Sequence, residues 1–480
     1  MNVKRIVRWS IVLFLLLALP GLTAALAQGQ EPAGKAPLPV VTEMGESATA
    51  IPWVNVEHNP NNTVADVNWN PWFNGPAVWG GRIDSAGDVD YWDIFWYAYY
   101  QYCLHCTEET SLPVLIDIEA QSIGSPVDPK ICLYSDDGFE LSCNDDTDTL
   151  DSLLFYNLEW GRHYYLKVSN FNGTGGSAYK YQVLVSVPLL ISAAAGGLGT
   201  GNVAGIPFQS GDILAWSDFP YGSGQHEEKW VMLFDLSDLG VNGNVTNLAA
   251  GWRNSDYLML GFAANATLPG ISGPVTPWEV VTFDPTRLGP VTQGTFQRWW
   301  NGKQLGLTLA AEKPDAIDWP AWNGNARLRV STTGKATVPG AGVTVKLFDE
   351  DVGLWNISNG QWSLDFDGSR EGWGLAAEDV TAMSYGEVWE DYYEMPPDMP
   401  AMLVDSYLVR FYFLVLQGTA TVNDYPLPIN VTQKDIARYT DVEGDTYFHL
   451  VWHGPDHGWN YNIDAIDFLY DAWISGGYGN

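Results

Sequence analysis

The most constraining feature of this 480-residue chain is a cassette that returns four times in its C-terminal half. It opens with an acid, an aliphatic residue, two variable positions and an aromatic: Asp212 to Trp216, Glu279 to Phe283, Asp351 to Trp355 and Asp435 to Tyr439. A second apolar segment follows, starting at Trp230, Phe296, Trp362 and, more loosely, Tyr447, and the first three starts are separated by a constant step of 66. Repetition at a fixed period means that one supersecondary unit buries its apolar face against its own copies. Each unit carries four strand signals. The second alternates, with Trp362, Leu364 and Phe366 on one face and Ser363, Asp365 and Asp367 on the other. It ends at Asp367-Gly368 or Asn301-Gly302, which reads as a tight turn. The third signal covers Val245, Asp315, Asp379 and Asp464 and the residues after each. The fourth starts at Leu258, Leu328 and Tyr412 and closes on Ala-Thr-Leu/Val at 266–268, 336–338 and 420–422.

Four strands per unit of this length predict a four-bladed β-propeller over residues 189–480, with a stacked or two-sheet arrangement of the same units as the alternative. The third unit carries an acidic, Met- and Pro-rich insert at about 387–405, read as a loop on one rim. The fourth unit lacks its own last strand. A segment of that type stands unclaimed before Asp212, so residues 189–200 are expected to close the repeat.

Lys4, Arg5 and Arg8 precede an apolar run from Ile11 to Leu22 and a small-residue site at Ala25-Leu26-Ala27. This reads as a secretory signal cleaved after Ala27, followed by a Pro/Gly/Ala-rich spacer over 28–50. Net charge is −34, and removing the signal's three cations leaves −37. Such a chain repels nucleic-acid phosphates and anionic lipid, which excludes both as partners, and it offers oxygen ligands to hard cations such as calcium. Aromatics reach 14%, with 23 Trp, which excludes a disordered chain, and the 49 Gly and 28 Pro set between short apolar runs point to an all-β protein.

Residues 51–188 alternate strand and turn signals in the manner of an antiparallel β-sandwich. All four cysteines lie here. Cys103 and Cys106 are close in sequence, and Cys132 and Cys143 flank a hairpin expected to turn at Asp137-Gly138. Two disulfides are the first reading for an exported chain and a zinc site on all four the alternative; spacing leaves the connectivity open. Counting out from a two-residue turn places 132 opposite 143 at a hydrogen-bonded pair, the wider of the two cross-strand sites. Asp88 and Asp90, and Asn144, Asp145, Asp146, Asp148 and Asp151, could converge on calcium or cap turns through the backbone. The order of Asn61-Asn62, Gly81-Arg82-Ile83, Gly87-Asp88-Val89-Asp90-Tyr91-Trp92, Gly124-Ser125-Pro126, Asn144-Asp145-Asp146, Asp151-Ser152 and Tyr181 resembles the bacterial pre-peptidase C-terminal domain family. The likeness departs at about 96–111, where an aromatic stretch bearing Cys103 and Cys106 replaces a short turn. It implies a small secreted β-sandwich, not itself catalytic, joined to other domains.

The sequence contains no H-E-x-x-H, no G-x-S-x-G and no phosphate-binding loop. His449, His453 and His457 are spaced by four, but repeat alignment places them across a strand and its turn, where that spacing assembles no metal site. The four opening acids, Asp212, Glu279, Asp351 and Asp435, occupy equivalent sites. Symmetry could gather them around a cation, or each could cap its own strand. The expectation is a secreted, non-catalytic binding or surface-interaction protein that recognises an extracellular glycan or protein and takes calcium as its ion. The alternative is a secreted glycan or peptide hydrolase using Asp/Glu acid–base chemistry in a central cleft.

Overall fold

The computed structural model describes residues 55–56, 61–67, 77–95, 111–145, 150–159, 162–193, 200–221, 225–250, 255–319, 327–370, 375, 378–394, 402–422, 428–442 and 445–467. Cys103, Cys106, Asp146, Asp148, the signal and the spacer lie outside them. The described chain is all-β. Helix is confined to short 3-10 turns, and none is long and apolar enough to cross a membrane.

Two sheets occupy the stretch before residue 187. One orders Asn55–Val56, Ala77–Arg82, Lys180–Ser186, Ser111–Glu119 and Leu153–Glu159; the other orders Val89–Phe95, His163–Asn170, Pro129–Ser135 and Glu140–Asn144. All pairings are antiparallel except that of the first two strands. The sheets share a core in which Trp79 stacks on Trp92 at 5.4 Å. The period-2 rule sorts Ser111–Glu119 cleanly: Val114, Ile116 and Ile118 enter this core, while Leu115 enters another. That second core joins Leu115, Leu153 and Phe155 to Phe234, Phe262 and Phe283 of the repeat region. Strand Leu153–Glu159 is therefore buried at every position, and residues 48–480 form one compact body.

From residue 189 onward the chain builds four antiparallel four-stranded sheets. In order from inner to outer strand, the first is Ile463–Asp467, Leu189–Ala193, Ile213–Tyr221 and Gln225–Phe234. The second is Val245–Ala250, Leu258–Phe262, Glu279–Arg287 and Gln293–Asn301, and the third is Pro314–Asp318, Arg327–Thr332, Val352–Asn356 and Gln361–Phe366. The fourth is Val380–Glu394, Met402–Leu416, Asp435–Val442 and Asp445–His453. Each inner strand packs chiefly against two of the other three and also touches the third. Leu189–Ala193 lies between Ile213–Tyr221 and the C-terminal Ile463–Asp467, so the two ends of the region share a sheet.

The structure corrects several local readings. The fourth strand signal is not one strand. It breaks after Phe262 or Thr332, and its Ala-Thr-Leu/Val ending turns away into a separate small ribbon: Ala336–Pro339 with Thr344–Leu347, Thr419–Val422 with Ile429–Thr432, and a lone bridge from Ala266 to Val275. Gly201–Val203 with Ile206–Phe208 is the matching ribbon before Asp212. The Asn301-Gly302 stop is not a hairpin turn but a 3-10 turn, Gly302–Leu305, and Leu236–Leu239 and Gly454–His457 repeat it. Asp235 and Asn301 cap two of these turns through backbone N–H groups, and Gly240, Gly306 and Gly458 close them at φ 69°, 109° and 78°, where a side chain would be strained. Such a turn carries the chain from the outer strand of one sheet to the inner strand of the next. Finally, residues 387–394 and 402–405 are not loop: they prolong two 15-residue strands, paired from Val380/Leu416 out to Glu394/Met402.

Candidate functional site

The four repeat-opening acids share one local geometry. Each begins or immediately precedes the third strand of its own sheet, is buried, and accepts the backbone N–H three residues earlier. Asp212 takes Gln209 N at 2.7 Å, Glu279 takes Thr276 N at 2.8 Å, Asp351 takes Phe348 N at 2.9 Å and Asp435 takes Thr432 N at 2.8 Å. The second oxygen reaches across to the outer strand or its end: Leu236 N at 3.0 Å, Gly368 N at 3.0 Å, Nδ1 of His453 at 2.6 Å, and the Arg298 guanidinium for Glu279. The carboxylate is thus a buckle that ties the ribbon, the third strand and the exit of the outer strand. The four acids stand in four sheets and do not converge. Burial pushes Asp212 up to about 7 against two backbone donors, and burial also raises Asp351. For Glu279 the burial effect is outweighed by the Thr276 N–H and Arg298, which leave it lowered.

A second polar layer lies where the inner strands meet. Asp318 Oδ1 accepts Tyr385 N at 3.1 Å from the neighbouring sheet, and Asp467 accepts Ala250 N and the Ser384 hydroxyl, the latter at 3.2 Å. Arg329, 4% exposed, donates to Asp365 at 2.7 Å, stands 3.8 Å from Asp318 and lies 3.2 Å over the Tyr385 ring; Tyr412 donates to Asp365 at 2.6 Å. Burial raises Asp318 to about 7 even though Arg329 opposes it. This layer joins all four repeat sheets through largely buried side chains.

Among the described residues one open feature is a cleft of about 390 Å³ between the earlier sheets and the first repeat sheet; a smaller one of about 150 Å³ lies beside Asp212 and Ser237. Asp117, Glu119, Gln121, Ser122, Lys229 and Trp230 line it. The Lys229 ammonium bridges Asp117 and Glu119, and Glu119 also accepts the Ser122 hydroxyl. Asp151, at the same cleft, holds the 120–122 turn by accepting Ala120 N at 2.9 Å, Gln121 N at 2.8 Å and Ser122 N at 3.2 Å; burial raises it and those donors lower it. Sequence reasoning missed Asp117, Glu119 and Lys229. The available signal was the alternation in Leu115-Ile-Asp117-Ile-Glu119, which puts both acids on one face of a strand.

The remaining candidates, where described, stand beside protein hydrogen-bond partners or at a strand end. Asp90 accepts the Tyr181 hydroxyl at 2.5 Å, Tyr181 in turn accepts Trp92 Nε1 at 3.0 Å, and Asp88 accepts Asp84 N at 2.6 Å. Asn144 ends a strand and Asp145 follows in a bend. His453 pairs with Asp435, and His457 pairs with Glu228 at 2.9 Å while stacking on Trp452 at 5.2 Å; with His449 they do not converge. Among the described residues one group of three His, Cys, Asp or Glu side chains has metal-site spacing, Cys132, Glu140 and Cys143, and both cysteines are joined in a disulfide. The wide-pair geometry expected for that bridge does not occur. A bulge between Leu133 and Tyr134 shifts the register, and the two Cα atoms stand 4.1 Å apart, the narrow cross-strand spacing.

Compared with known families and with curated proteins, the chain matches no family model and no curated protein.

Proposed function

We propose that this is an extracellular, non-catalytic recognition protein, a pre-peptidase-C-terminal-like β-sandwich joined to a four-bladed β-propeller. What supports the propeller is four four-stranded sheets whose inner strands each pack chiefly on two others, with strand Leu189–Ala193 closing the ring beside Ile463–Asp467. What supports the sandwich is two sheets over one core. The ligand is an extracellular glycan, and its place is the cleft between the two parts.

One observation carries this reading. The repeat acids, which an acid–base enzyme would draw upon, are engaged in backbone caps, while the 390 Å³ cleft combines an apolar wall at Ile206, Val231 and Pro290 with the Gln121 amide, the Ser122 hydroxyl and ion-paired carboxylates. An apolar wall with a few convergent donors and acceptors suits the face and hydroxyls of a sugar ring. Lys229 holds Asp117 and Glu119 as an ion cluster, a hydrogen-bonding surface rather than a proton donor. The mature protein should retain oligosaccharides on a glycan array without cleaving them, and Gln121→Ala and Lys229→Met should each weaken retention about tenfold, the loss of one or two good hydrogen bonds. Binding unchanged in both variants, capture of peptides only, or hydrolysis of the bound glycan would overturn the reading.

A further inference from the structure

Two carboxyl groups meet between the third and fourth repeat sheets. Asp315 is the second residue of inner strand Pro314–Asp318, and Asp379 immediately precedes inner strand Val380–Glu394. Asp315 is 7% exposed, and no other described residue donates a hydrogen bond to either of its carboxylate oxygens. Its hydrogen-bonding neighbour is the Asp379 carboxyl, one of whose oxygens is also buried without a donor. The other charged group acting on both is Asp349, again an acid, whose own neighbours are Glu350 and Asp351. Nearby cations are engaged elsewhere: Arg329 with Asp318 and Asp365, and Lys313 beside the Trp278 ring.

The first and second sheets meet through equivalent positions. Asp464 is the second residue of inner strand Ile463–Asp467, and Asn244 immediately precedes inner strand Val245–Ala250. All four inner strands carry the same register shift after their first residue, which fixes the equivalence. At that joint Asn244 Nδ2 donates to Asp464 Oδ2 at 3.3 Å. One joint therefore pairs an amide with a carboxylate, and the other pairs two carboxyls. Two carboxylates in contact, one of them buried, disfavour ionising together, whereas a carboxylic acid supplies the donor that the asparagine supplies at the sister joint.

We propose that Asp315 and Asp379 share one proton, as O–H···O⁻, and that this proton latches the third repeat sheet to the fourth until rising pH releases it to solvent. Burial, and then the charges of Asp379 and Asp349, push Asp315 well above the usual carboxylate range; burial and then Asp349 push Asp379 up to about 6. Asp379 is only partly buried, which gives the proton its route out. The sign follows from proton binding. The folded state holds a proton that the unfolded chain has released above the ordinary Asp value. The latch is therefore complete at low pH and is lost as pH rises through the pair's folded value, the folded-to-unfolded ratio falling by up to tenfold per pH unit.

The test is urea unfolding of the full chain from about pH 5 to pH 9, with hydrogen exchange read at 314–318 and 380–385. Asp379→Asn copies the sister joint and should make the pH dependence of both readouts shallower than in the wild type, leaving the share of Asp212 and Asp318. Asn244→Asp installs the acid pair at the first joint and should steepen it. Parallel pH profiles for wild type and Asp379→Asn would overturn the latch. So would recovery of the wild type, but not of Asp379→Asn, on adding millimolar calcium at alkaline pH, since a metal ion rather than a proton would then join the pair.

Discussion

Ile191 is the sharpest probe of how the repeat region holds its ends together. It is fully buried, its backbone pairs with Leu214 on one side and Ile466 on the other, and its side chain packs in a cluster with Leu214, Phe413, Trp452 and Ile466. That cluster draws on the start of the region, its fourth unit and its C-terminal strand. Ile191→Ala removes three buried carbons and leaves a void that a sheet held on both sides cannot collapse, a loss of about 2–5 kcal/mol. At roughly 2 °C per kcal/mol for a large domain, the melting temperature should fall by about 4–10 °C. Ile191→Pro should cost more, because in a central strand it also removes a ladder hydrogen bond. Calorimetry reads the first effect. Hydrogen exchange reads the location, since protection should fall together in 213–216 and 463–467. Val343→Ala, at a side chain 66% exposed, serves as the control and should melt with the wild type. If Ile191→Ala also melts with the wild type, or if exchange rises at 213–216 alone, the strand does not bridge the two ends.

Four further outcomes are expected. Arg329→Ala strands Asp318 and Asp365 in the interior and should destabilise by about 3–5 kcal/mol in urea, whereas Arg329→Met, which fills the space but leaves the same acids unpaired, should recover little of it. Asp351→Ala leaves the Phe348 and Gly368 N–H groups without their acceptor and should cost about 1–3 kcal/mol, with Asp351→Asn, which keeps an acceptor oxygen, losing less. Asp212 and Asp318 are both raised to about 7, so the folded state binds more protons than the unfolded one above the ordinary Asp value; stability should fall as pH rises from about 5 toward 8, by up to about 1.4 kcal/mol per unit for each group, and Asp212→Asn should remove its share. Reduction should add two hydrogens to the fragment spanning Cys132 and Cys143, whose separation is 11 residues, and lower stability by about 2–4 kcal/mol; no mass change on reduction would refute the bridge.

Much of the architecture was legible because it is written in short-range patterns. The 66-residue step, the alternation in Trp362–Phe366 and the orphan apolar segment after Pro188 depend on which face of a strand is apolar, and that is a property of neighbouring residues. The same range limits explain the misreadings. The stretch after Glu387 looks like a loop because it is acidic and leads to Pro396 and Pro397, yet its Val, Trp and Tyr residues suit a strand once a partner of equal length stands opposite. The bulge beside Cys132 is a register choice made by two strands together, so counting from an assumed turn put the bridge on the wrong class of pair.

The candidate site was less legible for a related reason. That the opening acids recur was plain; that each reaches its own ribbon corner and the outer strand's exit, and not the other three acids, depends on where those segments lie in space. Asp117 and Glu119 could be placed on one strand face from the sequence, but Lys229 reaches them only because one face of the earlier sheet is buried against the repeat region. By itself the sequence determined the strands, their apolar faces and the fourfold order, since period-2 burial is local. Only the tertiary structure decided which charges meet, as with Asp315 against Asp379 in one joint and Asp464 against Asn244 in its sister, because a side chain's partner and its dielectric surroundings are set by sheets packing across more than sixty residues of intervening chain.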